Sequence, residues 1–146
     1  MPKIEITEMT LADYDATYAL LSATPGIGLR LADSRAGIER YLIRNPGLSF
    51  VARSEGRIVG CVMSGHDGRR GYLQHLAVDP EFRLQGVGSA LVERCLTGLH
   101  ALGIEKTHLD VLVDNLPAHR YWSRRGWKKR DDIVRYSFTK SDSDNL

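Results

Sequence analysis

The sequence predicts an α/β (α+β) fold in which a mixed, mostly antiparallel β-sheet is flanked by helices. Segments in which apolar and polar residues alternate give way to segments with apolar residues three or four apart, and these are the periods of strands and helices. Three successive strands in the middle of the chain are separated only by tight turns, which makes them antiparallel neighbours. A strand–helix–strand crossover follows and adds a parallel strand. The predicted order is β-α-α-β-β-β-α-β-α-β.

Six segments carry strand patterns, because they alternate or are short apolar runs between turn residues. They are Lys3–Thr7, Leu48–Arg53, Ile58–Gly65, Tyr72–Val78, Lys106–Val113 and Ile133–Phe138. Glu55-Gly56 forms the turn between the second and third strands. Asp67-Gly68, a dipeptide that tight hairpins prefer, lies between the third and fourth.

Four segments carry helix patterns with recognisable ends. They begin after Thr10, at Asp33 or Ser34, at Gly86 and at Leu116, and they end before Pro25, before Asn45, near Leu102 and near Arg125. Thr10 and Asp13 have the spacing of a capping box. Gly103 suits the position that follows the third helix, since glycine readily adopts the left-handed conformation found there.

Length and composition indicate one domain with its own core. A chain of 146 residues with 42% apolar and 26% charged residues is typical of a globular protein. We assign residues 1–140 to this single domain and residues 141–146 to a polar C-terminal tail. The 20 basic and 18 acidic residues leave a net charge of +2, which by itself predicts neither nucleic-acid nor membrane binding.

Three absences favour a cytoplasmic location. The sequence contains no apolar run of about 18 residues that could span a membrane, and its start lacks the pattern of a secretory signal. Cys61 and Cys95 have no CxxC spacing, so they are typical of small buried residues in a reducing compartment. The histidines show no metal-ligand spacing such as HExxH, so no metal site is predicted.

The segment that carries the most chemical information runs from Leu76 to Leu91. A strand ends there, a short loop follows, and Gly86 and Gly88 open a helix. The first amides of a helix have no partner within it and lie at the positive end of its dipole, so they suit a phosphate group. Glycines allow that group to approach the backbone closely. A tight turn with close helix packing explains the same glycines equally well.

Two other glycine-rich phosphate motifs do not fit this segment. The third glycine of a dinucleotide fingerprint would fall at Leu91, and the loop between strand and helix is too long for that motif. A P-loop requires Gly-Lys-Ser or Gly-Lys-Thr, which does not follow.

The run from Val78 to Leu91 resembles the acetyl-coenzyme A motif of the GNAT N-acetyltransferases, whose core Arg/Gln-x-x-Gly-x-Gly/Ala reads Arg83-x-x-Gly86-x-Gly88 here. A second match follows downstream as Asn115-x-x-Ala118-x-x-Tyr121-Trp122-x-x-x-Gly126-Trp127. The predicted element order agrees with that fold over residues 3–139. The resemblance therefore implies an N-acetyltransferase that moves an acetyl group from acetyl-CoA to a primary amine.

The resemblance also implies roles for particular positions. Backbone groups of Leu76 and Val78 would pair with the pantetheine arm as an added strand does, and one of their amides would polarise the thioester carbonyl. Asn115 would hydrogen-bond the cofactor arm, or it serves only as a helix N-cap. The pyrophosphate would lie against the rim cation Arg83 and the backbone amides of Leu84, Gln85, Gly86, Val87, Gly88 and Ser89.

One departure from the family pattern affects catalysis. Trp122 stands where the family often has a tyrosine whose hydroxyl protonates the leaving thiolate, and an indole N–H is not a useful acid. Tyr121 is adjacent but points elsewhere around the helix, so it is a weak substitute. Because the thiolate of coenzyme A can take a proton from water, we expect transfer to survive without a dedicated acid.

The acceptor amine must lose a proton before it attacks. For a lysine-like amine at pH 7 this costs about 4.6 kcal/mol. His75, on the strand expected to flank the thioester, and Asp110, on the next strand, are the candidate bases. A structural strand histidine, a solvated carboxylate and a chain of ordered waters remain as alternatives.

The resemblance implies direct attack by the amine in a ternary complex, since neither cysteine lies in a nucleophile setting. The acceptor, a small-molecule or peptide amine, is not identified, and a homodimer is left open. A catalytically weak acyl-CoA sensor is the alternative from another class. Nucleic-acid binding is disfavoured by the charge balance, although six cations lie between Arg120 and Arg130.

Overall fold

The computed structural model describes residues 3–146, and within them the strands are β1 (Ile4–Glu8), β2 (Phe50–Ser54), β3 (Arg57–His66), β4 (Gly71–Val78) and β5 (Thr107–His108). The helices are α1 (Tyr14–Ser22), α2 (Arg35–Arg44), α3 (Val87–Ala101) and α4 (Leu116–Arg124). The chain forms two compact units, one ending at Leu109 and one beginning at Asp110. The first unit contains the sheet and α1 to α3, and the second contains α4.

The five strands form one sheet in the order β1-β2-β3-β4-β5. The pairs from β1 to β4 are antiparallel, and β5 is parallel to β4. Glu55 and Gly56 join β2 to β3 with left-handed φ values of 51° and 77°, as a tight hairpin turn of the primed type requires. The predicted fold class, a mixed and mostly antiparallel sheet flanked by helices, is confirmed.

A β-bulge interrupts β4 at His75. Met63 pairs with Gln74 and Cys61 pairs with Ala77, so one residue of β3 faces two residues of β4. His75 has a φ of 53°, which is the left-handed conformation of the first residue in one common type of bulge. The extra residue shifts the alternation of side chains along the rest of the strand.

The bulge decides which face of the sheet each half of β4 covers. A side chain at Gly71 would point at Leu99 of α3, because a Cβ built there lies 3.0 Å from the Leu99 side chain. Ala77 instead packs in the core cluster that includes Leu21 of α1 and Ile38 of α2. Positions 71 and 77 would lie on the same face of an unbroken strand, so the bulge moves the second half of β4 over to α1 and α2.

Both faces of the sheet are covered in the first unit. On one side α3 contributes the buried residues Val87, Leu91, Val92, Cys95 and Leu99. On the other side α1 and α2 pack on β3. The central strand β3 is accordingly apolar at successive positions, with Val59, Cys61 and Val62 each 0% exposed.

Near the C-terminus one strand prediction is confirmed only in part and another is wrong. The predicted strand Lys106–Val113 forms only at Thr107–His108, and Ile133–Phe138 forms no strand among the described residues. A strand needs a neighbour for its backbone hydrogen bonds, and none of the described strands pairs with residues 109–113 or 133–138. Tyr136 and Phe138 are accordingly 93% and 91% exposed.

Candidate active site

The N-terminus of α3 presents backbone amides to solvent. Gly86 is the N-cap residue with a φ of 79°, and no side chain caps the helix there. Ala90 is the first residue whose N–H bonds back to the Gly86 carbonyl. The N–H groups of Val87 and Gly88 precede it, so the geometry of the helix gives them no carbonyl partner. These amides and the helix dipole together favour an anion.

The loop before α3 is strained. Leu84 has a φ of 61° and a fully exposed side chain, although the left-handed conformation costs a non-glycine residue about 1–2 kcal/mol. Within residues 3–146, the non-glycine residues with a positive φ are Glu55, His75 and Leu84. The hairpin turn explains Glu55. The other two flank the end of β4, and strain of this kind clusters at functional positions.

The end of β4 has an open edge. β5 pairs with β4 only at Gly71 and Tyr72, so none of the described residues forms a strand beside the stretch 73–78 on that side. The N–H of Asp79 bonds to the carbonyl of Val59 on the opposite edge. The antiparallel pattern then points the N–H and carbonyl of Val78 toward the open edge. Leu76 lies two residues earlier on the same stretch.

Arg83 and Asp79 organise the loop that follows. The Nε of Arg83 donates to the Val78 carbonyl at 3.1 Å, which holds the guanidinium beside the end of β4. Asp79 accepts the backbone N–H of Glu81 at 2.9 Å and pairs with Arg57 at 3.2 Å. The hydrogen bond from Glu81 and the nearby guanidinium of Arg57 outweigh slight desolvation and hold the pKa of the Asp79 carboxyl below its usual range. This loop is therefore fixed by contacts within the first unit.

His75 makes the shortest histidine contact among the described residues. Its Nε2 lies 2.7 Å from Oδ1 of Asp33, in the turn before α2, and the two side chains are 18% and 13% exposed. The bulge turns His75 toward α2 and away from α3. Burial acts to raise the pKa of Asp33, but hydrogen bonds from His75 and the Arg30 N–H hold it below the ordinary value.

A small cavity lies beside Asp33, α1 and α2. It is lined mainly by apolar side chains, among them Leu21, Ile38 and Met63. Thr17 also lines it and is 4% exposed, yet its hydroxyl has no hydrogen-bond partner among the described residues. An unpartnered hydroxyl in an apolar site costs folding free energy, and the sequence carried no signal for it.

In the second unit, Asn115 is the N-cap of α4. Its side-chain oxygen accepts the N–H of Ala118 at 3.3 Å, and Pro117 lies in the first turn. The structural role predicted for Asn115 is thereby present. A role on a cofactor arm stays a prediction, since the amide N–H₂ of the same side chain is a separate donor.

Aromatic rings pack around Trp122 in the second unit. Trp122 contacts Tyr121 and Trp127 edge to face, with centroids 5.0 Å and 5.1 Å away. The guanidinium of Arg125 lies 3.5 Å from the centre of the Tyr121 ring. The Tyr121 hydroxyl is buried without a hydrogen-bond partner among residues 3–146. Neither Trp122 nor Tyr121 is therefore held as a ready proton donor within this unit.

Asp110, the second candidate base, forms an ion pair with Arg135 at 2.8 Å. Its side chain is 73% exposed, so the carboxylate lies in water beside a guanidinium. This arrangement matches the alternative of a solvated residue, although a role as base remains a prediction.

The basic cluster of the second unit is partly neutralised from within. Lys129 pairs with Asp131 at 3.4 Å and Arg130 pairs with Asp132 at 2.9 Å. Exposed pairs of this kind are weak, but they reduce the positive potential on which nucleic-acid binding depends.

Both cysteines are buried and unreactive. Cys61 and Cys95 are each 0% exposed. Desolvation raises the pKa of the Cys61 thiol to about 12 and that of Cys95 to about 11. A thiolate is the nucleophilic form of cysteine, so neither residue is set up for covalent catalysis.

The structure brings one group of predicted residues together within the first unit. One continuous stretch of chain contains all of them: the bulge at His75, the open edge at Leu76 and Val78, the Arg83 contact and the N-terminus of α3. Asp110, Asn115, Tyr121 and Trp122 belong to the second unit, each in the local setting described above. Sequence reasoning did not single out Asp33, because its position is explained by the start of a helix.

A profile for the Acetyltransferase (GNAT) family matches residues 14–127. The chain belongs to this family. The GNAT assignment rests on most of the chain, including β2 to β5 and all four helices, and it confirms the family resemblance.

Similar proteins agree with this GNAT assignment. An acetyltransferase of Pectobacterium atrosepticum is 46% identical over 83 residues, which are 57% of this chain and 59% of that protein. The match therefore spans less than two thirds of the Pectobacterium protein. An acetyltransferase of Yersinia enterocolitica is 37% identical over 102 residues, 70% of this chain and 72% of that protein.

Solved structures share the fold of this GNAT protein. The PaiA N-acetyltransferase of Thermoplasma acidophilum in complex with coenzyme A superposes with a TM-score of 0.76, covering 90% of this chain and 93% of that one. At 17% identity this likeness shows the fold alone. No helix within residues 3–146 has the length and apolar character needed to cross a membrane. Within the same residues no three His, Cys, Asp or Glu side chains gather where they could hold a metal ion, and a metal-free site stays a prediction.

Proposed function

We propose that this protein is an acetyl-CoA-dependent N-acetyltransferase that acts on a primary amine, by direct attack in a ternary complex. The observation that carries the proposal is the junction of β4 and α3, where an open strand edge leads into an uncapped helix N-terminus. Membership of the GNAT family supports the same reaction class.

The residues at this junction fit the two parts of the cosubstrate. A Cβ built on Gly86 meets no atom within 4 Å, so there is space above the helix N-terminus for a diphosphate. The backbone amides from Leu84 to Ser89 would bind it, with Arg83 at the rim. Backbone groups of Val78 and Leu76 at the open edge of β4 would bind the pantetheine arm as an added strand, with the Val78 N–H available beside the carbonyl that Arg83 already contacts. In the second unit, Asn115 would add a side-chain contact.

Acetyl-CoA, when bound, supplies the acetyl group as a reactive thioester. The chain would contribute a backbone N–H near the β4 bulge to polarise the carbonyl and His75 to accept the proton of the amine. Trp122 would shape the pocket, and the leaving thiolate would take its proton from water. The buried thiols of Cys61 and Cys95 support transfer without an acyl-enzyme.

A second candidate function is an acyl-CoA sensor with little catalysis. The observation that favours it is that the second unit presents no positioned acid: Trp122 stands where the family often has a tyrosine, and the buried Tyr121 hydroxyl has no hydrogen-bond partner among the described residues. The proposed acceptor is a small-molecule or peptide amine and is not narrowed further. The cytoplasmic location and the homodimer stay predictions.

Calorimetry with coenzyme A and a thiol-release assay over an amine panel test the proposal together. The panel contains polyamines, aminoglycosides, amino acids and peptides with free N-termini. Binding with thiol release on some amines supports the transferase. Binding without release on any amine supports the sensor. Absence of heat with coenzyme A contradicts both functions.

A further inference from the structure

Asp33 is held by contacts at both of its carboxylate oxygens. Oδ2 accepts the backbone N–H of Arg30 at 2.9 Å, and Oδ1 lies 2.7 Å from Nε2 of His75. The Tyr14 hydroxyl also donates to the Asp33 backbone carbonyl at 2.8 Å, which ties this turn to α1. The carboxylate therefore has one orientation, and it directs one oxygen at the imidazole.

We propose that Asp33 is a positioning residue that holds His75 in the tautomer required of a general base. This inference rests on the proposed transferase function. An ionised carboxylate only accepts hydrogen bonds, so Nε2 of His75 must carry the proton that joins the pair. The other ring nitrogen, Nδ1, is then the acceptor, and no described residue hydrogen-bonds it.

The proton balance of the step follows from this tautomer. The substrate amine arrives as an ammonium ion and transfers one proton to Nδ1 of His75, which leaves a neutral amine and an imidazolium. The imidazolium keeps its Nε2–H hydrogen bond to Asp33, so the two side chains become a pair of opposite charges. Asp33 gains no proton and touches no substrate. It fixes the ring and offsets the new charge, in the way that a buried carboxylate serves a catalytic histidine elsewhere.

A second copy of the same turn shows which part of this arrangement is specific. Leu11-Ala12-Asp13 and Leu31-Ala32-Asp33 are identical in sequence and both form a single 3-10 turn. Asp13 likewise accepts a backbone N–H with Oδ2, from Thr10 at 2.9 Å. Its Oδ1 however pairs with Arg53 at 2.6 Å. Both aspartates stabilise a turn, but only Asp33 faces an imidazole, a group that can both donate and accept a proton.

Several groups from neighbouring elements face this pair. One of them is the Tyr14 hydroxyl of α1. The charges of Asp15 and of Arg35, on α2, act on this hydroxyl. From β3, the Cys61 thiol donates to the His75 carbonyl at 3.6 Å. Asp33 stays ionised in this setting, because its pKa is held below the ordinary value.

The test compares Asp33→Asn with the matched control Asp13→Asn in the full-length protein. We expect Asp33→Asn to lower kcat about 10²-fold on an amine found in the panel, the lower end of what general-base catalysis contributes. We also expect the acidic limb of its pH–rate profile to differ from that of wild type, because asparagine cannot offset the imidazolium charge. Asp13→Asn should lose thermal stability while keeping kcat and the acidic limb. Asp33→Glu should recover part of the rate.

Nuclear magnetic resonance of the imidazole nitrogens gives a readout that needs no turnover and no variant. The free wild-type protein should show His75 protonated at Nε2 when neutral. Protonation at Nδ1 overturns the inference, and so does an Asp33→Asn variant whose kcat and pH profile match those of Asp13→Asn. If no amine is acetylated by wild type, the proposed function fails and the catalytic role of Asp33 fails with it, whereas the tautomer is still decided by the spectrum.

Discussion

Replacing Gly86 by alanine separates cofactor binding from the stability of α3. Gly86 has a φ of 79°, and a Cβ built on it meets no atom within 4 Å. The substitution therefore creates no clash in the free protein. The new methyl group instead adds bulk at the N-cap of α3, beside the proposed diphosphate site.

The structure sets two magnitudes for this variant. Alanine in the left-handed conformation should lower the free energy of unfolding by about 1–2 kcal/mol. Loss of one hydrogen bond between an amide and a charged phosphate should cost about 1.5–3 kcal/mol of binding free energy, so Kd for coenzyme A should rise about 10- to 150-fold.

Gly103→Ala is the matched control for this experiment. Gly103 follows the C-terminus of the same helix, has a φ of 85°, and also has no atom within 4 Å of a built Cβ. Its alanine variant should lose similar stability and keep the affinity for coenzyme A. Calorimetry with coenzyme A and thermal unfolding measure the two effects. Equal Kd values for wild type and Gly86→Ala would refute the proposed diphosphate site, as would an equal loss of affinity in both glycine variants.

Three further predictions concern the acid, the cavity and the thiols. Trp122→Tyr should leave kcat unchanged or raise it, since it restores a hydroxyl at the family's acid position, and a large fall in the thiol-release rate would contradict this. Thr17→Val should raise the free energy of unfolding by about 1 kcal/mol, and the melting temperature by about 2–4 °C, because it removes a buried unpartnered hydroxyl; a lower melting temperature would show that the hydroxyl is satisfied. Cys61 and Cys95, with thiol pKa values raised by burial to about 12 and about 11, should not react with Ellman's reagent at pH 8 until the protein is unfolded, and rapid labelling of the folded protein would disprove their burial.

Local patterns in the sequence predicted most of the first unit correctly. The hairpin at Glu55-Gly56 and the ends of α3 at Gly86 and Gly103 depend on the backbone preferences of a few adjacent residues, which a sequence displays directly. The last predicted strand, Ile133–Phe138, failed for the opposite reason. Its alternating pattern describes what the segment could do beside another strand, and only the three-dimensional arrangement decides whether that neighbour exists.

For the candidate site the division is similar. The residues proposed to bind the diphosphate lie close together along the chain, so Arg83, Gly86 and Gly88 could be named from their spacing. The pair of His75 and Asp33 is separated by 42 residues and depends on a bulge that the alternation of β4 does not reveal. The two copies of Leu-Ala-Asp were visible in the sequence, but nothing in it indicated that their aspartates face different partners.

The sequence by itself determined the family, the order of nearly all elements and the short stretch proposed to hold the cosubstrate, because each of these depends on residues close together along the chain. Only the tertiary structure decided the face on which His75 lies, its contact with Asp33 and the length of β5. These features depend on backbone register and on contacts between distant segments, and one inserted residue in a strand is enough to move a side chain from one face of the sheet to the other.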